Sequence, residues 1–293
     1  MSDEGFLAAS RSGILLLDGA MGTQLMTAGA SERDRMEWNV SHPDVVERLL
    51  REYVDAGSDV IETNTFAATR RQLARCGHGD RVAEIAEAAT RVARRAADGK
   101  AFVAACVGPT GELPEPYGDL KPEAAVDIFA EQIEAHAAAG VDLVLLETFI
   151  ALEELETAVR AAKQAAPDVP LAATMSFDRG ARTSFGVDGE TAASRLVELG
   201  CNIVGANCAY GEELVSVMAA MRATVDVPLL CQPNAGLPQL VDGETVFAAQ
   251  PGEFAELAKR LKDAGVTLFG GCCGTTPAHI RALAQAVRTP SGC

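Results

Sequence analysis

Eight times along this chain a short apolar run gives way to a Gly- or polar-rich turn and then to an amphipathic helical stretch. The runs occupy residues 14–17, 59–62, 102–107, 142–147, 171–176, 202–206, 228–232 and 267–270. Each is a near-continuous hydrophobic stretch, which a strand covered on both faces requires. The intervening segments have helical periodicity. Within 125–139, Val126, Phe129, Ala130, Ile133 and Ala137 fall on one stripe, with Glu131 and Glu134 outside it. Gly140 stands where a left-handed cap ends a helix, and Pro122 where a first turn tolerates proline. Similar units cover 44–56 ending at Gly57, 192–199 ending at Gly200 and 254–264 ending at Gly265, and a last one runs from Thr276-Pro277 through 280–287.

Eight β-then-α units without a change of composition predict a single closed (β/α)8 barrel, with a core of about residues 11–289. A doubly wound open sheet is the alternative, but the Gly-x-Gly-x-x-Gly fingerprint is missing. Long loops at 19–43, 108–121 and 233–250 follow strands, which in such a barrel puts them on the catalytic face.

Charge narrows the partners. The balance of 25 basic and 41 acidic side chains gives 25 − 41 = −16, with no run of Lys or Arg. Such a field repels nucleic acid and anionic membranes, so neither is an expected partner. The first ten residues carry Asp3 and Glu4 and no basic leader, and the apolar run at 13–17 is too short to span a membrane. A cytoplasmic location follows as an expectation. In that reducing compartment the eight cysteines are not read as a disulfide framework. The adjacent pair Cys272–Cys273 therefore reads as a thiolate site, with a vicinal disulfide as the lesser alternative.

The unusual residues cluster just after the apolar runs: Asp18-Gly19-Ala20-Met21-Gly22, Glu62-Thr63-Asn64-Thr65, Gly108-Pro109-Thr110-Gly111, Glu147-Thr148, Ser176, Asn207-Cys208, Gln232-Pro233-Asn234 and Gly271-Cys272-Cys273-Gly274. In a (β/α)8 barrel that is the mouth, where active sites lie. None of the lysines (Lys100, Lys121, Lys163, Lys259, Lys262) ends a strand, which argues against Schiff-base chemistry. None of His42, His78, His136 and His279 directly follows a strand; His279 reads as a helix-start residue. Thiolates remain as the strong chemical groups. Strands six and eight would end roughly 10 Å apart, at about 4.8 Å per neighbour. Sulfurs sharing a tetrahedral Zn²⁺ at about 2.3 Å must then converge on the barrel axis. Glycines at 270, 271 and 274 would let the backbone turn two successive cysteines toward one metal. Cys76, Cys106, Cys201, Cys231 and Cys293 read as structural.

At these positions the chain resembles the homocysteine-binding domain of methionine synthases and betaine–homocysteine methyltransferases. The resemblance rests on Asp18 to Gly22, Glu62-Thr63-Asn64-Thr65-Phe66, Gly108-Pro109-Thr110, Glu147-Thr148, Asn207-Cys208 and 270–277; Asn234-Ala235-Gly236-Leu237-Pro238 matches the methionine synthase branch. It implies a catalytic Zn²⁺ on Cys208, Cys272 and Cys273, and L-homocysteine held through Asp18, the backbone of Gly19, Ala20 and Met21, and Glu147. The chemistry is consistent with this. Zinc binding deprotonates a thiol, and three protein ligands leave a fourth position open. Asp18 and Glu147 would pair with the substrate ammonium, and the glycine turn's N–H groups would take its carboxylate. Asn234 is a candidate fourth zinc ligand in the free enzyme.

The implied reaction moves a methyl group to homocysteine, giving methionine. Methionine synthases append folate and cobalamin domains, and nothing of that size follows residue 289; the methionine-synthase-like motifs imply a separate methyl-corrinoid protein as the expected donor. Betaine, S-methylmethionine or S-adenosylmethionine as donor, or another thiol as acceptor, remain alternatives. Trp38 and Tyr117, in mouth loops, are candidates to face an onium donor through cation–π attraction, or else only to cover those loops. Two other classes stay open: a phosphate held in the glycine-rich turn after strand eight, and a non-catalytic subunit with a structural zinc that docks a partner.

Overall fold

The computed structural model describes residues 3–113, 115, 117–178, 180–241 and 244–288; Cys293 lies outside them. The chain begins with α1 (Asp3–Ser12), β1 (Leu15–Leu16), α2 (Met21–Thr27), α3 (Trp38–Ser41), α4 (Pro43–Ala56) and β2 (Val60–Glu62). It continues through α5 (Arg70–Ala74), α6 (Val82–Ala97), β3 (Phe102–Val107), α7 (Pro122–Ala139), β4 (Leu143–Phe149), α8 (Leu152–Ala165) and β5 (Leu171–Ser176). Next come α9 (Gly189–Glu198), β6 (Ile203–Asn207), α10 (Glu212–Thr224) and β7 (Leu229–Gln232). The last elements are β8 (Pro238–Val241), β9 (Glu244–Phe247), α11 (Pro251–Asp263), β10 (Leu268–Phe269) and α12 (Pro277–Arg288).

All eight apolar runs lie on parallel strands, hydrogen-bonded in the order β1-β10-β7-β6-β5-β4-β3-β2. With the helices outside, this is a (β/α)8 barrel. Between the end strands β1 and β2 carboxylates do part of the pairing. The Asp59 N–H donates to the Leu16 carbonyl (2.7 Å), and Leu16 N–H donates to Asp59 Oδ2 (2.8 Å). Higher up, Glu62 N–H donates to Asp18 Oδ2 (3.0 Å). Acidic side chains so satisfy seam N–H groups that a ladder would otherwise bond.

Alternation along each strand sorts side chains between two cores. Phe102, Ala104, Leu143, Leu145, Ala172, Ile203, Leu230 and Leu268 pack together inside the barrel. Val103, Ala105, Val107, Val144, Leu146 and Val204 belong to the larger core beneath the helices. The inner core is closed at the strands' N-terminal ends by α1, whose Phe6 is fully buried edge-on to Phe102 at 5.2 Å. That helix lies before the first of the eight apolar runs and belongs to none of the eight units. Two helices have their expected ends: Pro122 lies in the first turn of α7, and Gly140 and Gly57 cap α7 and α4 in the left-handed conformation (φ 84 and 113). The helices α9 and α11 each begin three residues before the expected start and are capped at Leu199 and Ala264, one residue before the expected glycines.

One inward position tolerates no side chain. A Cβ on Gly205 in β6 would stand 1.8 Å from the Leu230 carbonyl oxygen of β7. Gly205→Ala should therefore push two central strands apart and cost about 3 kcal/mol. The expected signature is a melting midpoint lower by roughly 6–12 °C, read by circular dichroism. An unchanged midpoint would contradict this packing.

The loop at 233–250 differs from expectation. It folds back as an antiparallel hairpin, with Leu240 opposite Thr245 and Gln239 opposite Val246. The strands flank an Asp-Gly pair at 242–243, the strongest short-range hairpin signal.

Candidate active site

Three thiols converge above the barrel. Cys208 directly follows β6 with its backbone held at φ 57, a conformation that costs a non-glycine residue about 1–2 kcal/mol. Its N–H donates to the Gln232 carbonyl (3.1 Å). Cys272 and Cys273 follow β10 in a turn tied to both neighbours: Gly271 N–H to the Asp18 carbonyl (2.9 Å), Cys272 N–H to Pro233 (2.7 Å), and Ala235 N–H to Cys273 (2.9 Å). Of the three glycines expected to shape this turn, Gly274 takes the left-handed conformation (φ 79), and a Cβ there would lie 2.3 Å from Phe247 of the hairpin. Gly270 and Gly271 serve close approach instead: added methyls would meet Leu17 and Gln232 at 2.9 Å, and Thr275 at 2.4 Å.

The sulfurs of Cys208, Cys272 and Cys273 all lie within 4.8 Å of one another. Those of Cys272 and Cys273 are 4.0 Å apart, and both cysteines are free thiols rather than a vicinal disulfide. A tetrahedral zinc with ligands at about 2.3 Å would set sulfurs about 3.8 Å apart, so the donor set fits that ion. Hydrogen bonds from Cys208 and Cys272 pull the Cys273 thiol down to about 3. Although Cys272's hydrogen bond lowers it, Cys208 is pushed up to about 12 by its bond to Cys273 and by burial.

Beneath the thiols lies a layer of acids. Glu62, Asn207 and Gln232 end β2, β6 and β7, and Cys106 and Glu147 lie one and two residues before the ends of β3 and β4, all with the parity that faces inward. The Cys106 thiol donates to Glu147 Oε1 (2.6 Å), Asn207 Nδ2 donates to Glu147 Oε2 (3.1 Å), and Gln232 Nε2 donates to Glu62 Oε1 (2.6 Å). A shift in register between Leu146 and Phe149, with Thr148 at φ 64, marks the bulge that carries Glu147. Asn207 fixes it: its Oδ1 accepts from Thr148 N–H and Thr174 Oγ1, both at 3.0 Å. Burial first, then mutual repulsion, raises the Asp18 and Glu62 carboxyls well above the usual range. Burial pushes Glu147 up to about 7 against the opposing pull of the Cys106 hydrogen bond. Glu62, Cys106 and Glu147 also lie within 4.8 Å of one another. That trio is a poorer metal site, since burial and the neighbouring carboxylates hold the Cys106 thiol well above its ordinary value and it acts as a donor.

Thiols and acids share one cleft of about 320 Å³, walled by Gly19 to Thr23, Arg35, Met36, Glu62 to Phe66, Cys106, Glu147, Thr148, Cys208, Gln232 and 271–273. Of the residues expected to hold substrate, Gly19, Ala20, Met21 and Glu147 line it. Asp18 stands behind that wall, with Glu62 N–H on its carboxylate. The Ala20 N–H is engaged by Thr275 Oγ1 (3.0 Å), which removes one expected backbone donor. Asn234 is buried, and its Oδ1 has no hydrogen-bond partner among the described residues. Trp38 begins α3 and stacks on His42 at 4.4 Å, and Tyr117 packs edge-on to Phe185; neither lines the cleft. His279, in the first turn of α12, meets Thr276 Oγ1 through Nδ1 and the Ala249 carbonyl through Nε2, both at 2.9 Å. The structural reading of Cys106 is corrected: it is part of the cleft floor. Its parity with Phe102 and Ala104 carried that information in the sequence. Glu62 and Gln232 also enter the site, on the same alternation, as does Arg35, which no pattern marked.

Comparison with known proteins adds a family. The homocysteine S-methyltransferase family matches residues 15–287. Methionine synthase from Mycobacterium tuberculosis is 33% identical over 94% of this chain, and that from Mycobacterium leprae 33% over 97%. The chain spans only about a quarter of these relatives, 24% and 25% of their lengths. Among solved structures, the metallated form of the homocysteine methyltransferase MmuM from Escherichia coli superposes with a TM-score of 0.82 at 25% identity, over 98% of this chain and 100% of that one.

Proposed function

The chain belongs to the homocysteine S-methyltransferase family, and from that premise we propose that it transfers a methyl group to the thiol of L-homocysteine, giving L-methionine. The observation that carries this reading is the convergence of the Cys208, Cys272 and Cys273 sulfurs in the same cleft as the buried carboxyls of Glu62 and Glu147. A thiol amino acid needs both.

Cys208, Cys272 and Cys273 would hold the metal, and the buried, unpartnered Oδ1 of Asn234 is the candidate fourth ligand in the free enzyme. Three sulfur ligands suit zinc better than magnesium or calcium, which prefer oxygen. Zinc, when bound, would supply the positive charge that keeps an incoming thiol deprotonated near neutral pH. The protein's own groups do the rest. Glu147 and Glu62 face the cleft and receive the substrate ammonium, with Asp18 adding its charge from behind. The substrate sulfur attacks the donor's methyl carbon: a carbon–sulfur bond forms, the donor–methyl bond breaks with its electrons remaining on the donor, and the thiol proton passes to solvent. Bound this way, the substrate presents its sulfur toward the open mouth.

A separate methyl-corrinoid protein is the donor this reading favours, supported by the methionine synthase likeness and by the rim. Leu237, Leu240 and Val246 on and beside the hairpin are 65%, 78% and 40% exposed. An apolar rim of that kind suits a macromolecular partner better than a small polar donor. Among the described residues no helix is long and apolar enough to cross a membrane, and a cytoplasmic place belongs to this reading. The test supplies homocysteine with a methyl-corrinoid protein, methylcobalamin, betaine, S-methylmethionine, S-adenosylmethionine or methylfolate and measures methionine. Methionine from the corrinoid donors supports the whole reading. Methionine from a small onium or sulfonium donor alone overturns the choice of donor, and none from any donor overturns the function.

A further inference from the structure

Arg35 is the single Lys or Arg among the residues lining the cleft. It belongs to the segment between α2 and α3, where its carbonyl accepts from Asn64 Nδ2 (2.6 Å), which ties it to the end of β2. Its guanidinium lies over the first turn of α2: Nη1 is 3.0 Å from where a Gly22 Cβ would stand, so any larger residue at 22 would press on it. The side chain is only 23% exposed, and its Nε is buried without a hydrogen-bond partner. Its ionic neighbour, Glu32, is 3.6 Å away and 80% exposed. That is too far for a hydrogen bond and too wet to count for much. A guanidinium N–H buried without a partner is unfavourable until a ligand completes it.

We infer that Arg35 receives the α-carboxylate of the thiol amino acid in the cleft. The inference rests on the homocysteine reading above and extends it to a group that reading left to the backbone. An α-amino acid brings a cation and an anion on one carbon. The acids at Glu62 and Glu147 answer the first, and no other Lys or Arg on the cleft wall answers the second. The backbone alternative is weakened because the Ala20 N–H is already bonded to Thr275 Oγ1. Position agrees as well: Arg35 lines the same cleft as Cys208, Cys272 and Cys273. An amino acid with its sulfur at the cysteines would have Arg35 as the one cationic side chain on the wall around its carboxylate. Arginine's planar fork suits a carboxylate through two parallel hydrogen bonds.

The test compares L-homocysteine with 3-aminopropane-1-thiol, the same chain without its carboxylate, by calorimetry on zinc-loaded protein. Wild type, Arg35→Gln and Arg35→Lys are used, with zinc content and circular dichroism as controls. Wild type should prefer homocysteine by roughly tenfold or more. Arg35→Gln should lose that preference by weakening homocysteine alone, and Arg35→Lys should restore part of it. The inference is overturned if Arg35→Gln keeps the full preference, or if both thiols weaken equally, which would make Arg35 a support of the cysteines. It is also overturned if homocysteine binding is intact and only the KM for a carboxylated donor such as betaine rises; the carboxylate would then be the donor's. Failure of wild type to bind either thiol would instead refute the homocysteine reading itself.

Discussion

Replacement of Cys208 by alanine should leave a folded protein that neither retains zinc nor forms methionine. The three sulfurs lie at strand ends, outside both apolar cores, so their removal takes no buried packing from the barrel. Alanine also keeps the backbone at residue 208 no more strained than cysteine does, since both carry a Cβ at φ 57. The metal should be far more sensitive. A thiolate zinc site binds with about 10–16 kcal/mol. Loss of one of three protein sulfurs should cost at least about 4 kcal/mol of this, or roughly a thousandfold in affinity. Metal analysis after dialysis against a chelator would read the first effect, and methionine formation the second. Cys272→Ala should behave alike. Cys106→Ala separates the two clusters at the mouth: as a hydrogen-bond donor to Glu147, Cys106 should be dispensable for zinc while its loss weakens homocysteine. Full zinc and undiminished turnover in Cys208→Ala would end the case for a thiolate metal centre.

The barrel was legible because burial on both faces writes itself into parallel strands as apolar runs, and eight such runs leave little other architecture. The thiol site was legible for a different reason, since Asn207-Cys208 and Cys272-Cys273 close two of those runs. Their distance in sequence concealed the convergence, which only barrel closure produces. What escaped notice was finer. Cys106 seemed one more apolar strand residue, yet a count of two from Ala104 turns it inward, toward Glu147. The α1 helix was missed because its role, plugging the inner core with Phe6, is tertiary and leaves little periodic trace in a ten-residue helix. The hairpin has a local signal, Asp242-Gly243 between two short β-prone stretches, which the eight-unit repeat hides by presenting 233–250 as one long loop. Arg35 gave no local signal at all, because its meaning depends on the absence of any other cation on the cleft wall.

Glu147→Gln should divide substrate recognition from metal binding. The carboxylate faces the cleft beside Glu62 and below the thiols. Replacing it with an amide should keep zinc at wild-type content and lower kcat/KM for homocysteine by about a hundredfold, the cost of leaving an ammonium without its ionic partner. A thiol lacking the amino group should be little affected. The same residue predicts a pH dependence. Burial raises Glu147 from 4.5 to about 7, so the folded protein holds this proton more tightly than the unfolded chain does. Its contribution to stability is then fully present below about 4.5, declines as pH rises, and is lost above about 7. Thermal melts of zinc-loaded, substrate-free wild type between pH 5 and 8 should therefore fall with rising pH, through an effect on the order of 3 kcal/mol. An amide at this position cannot ionise, so the variant should fall less steeply; some slope should remain, because Asp18 and Glu62 are raised by the same burial. Homocysteine affinity should move the opposite way in wild type, strengthening through pH 7 as the carboxylate forms while the substrate amine stays charged. Parallel melting curves for the two proteins, or an unaltered kcat/KM, would show that Glu147 neither keeps its proton in the free enzyme nor meets the ammonium of the substrate.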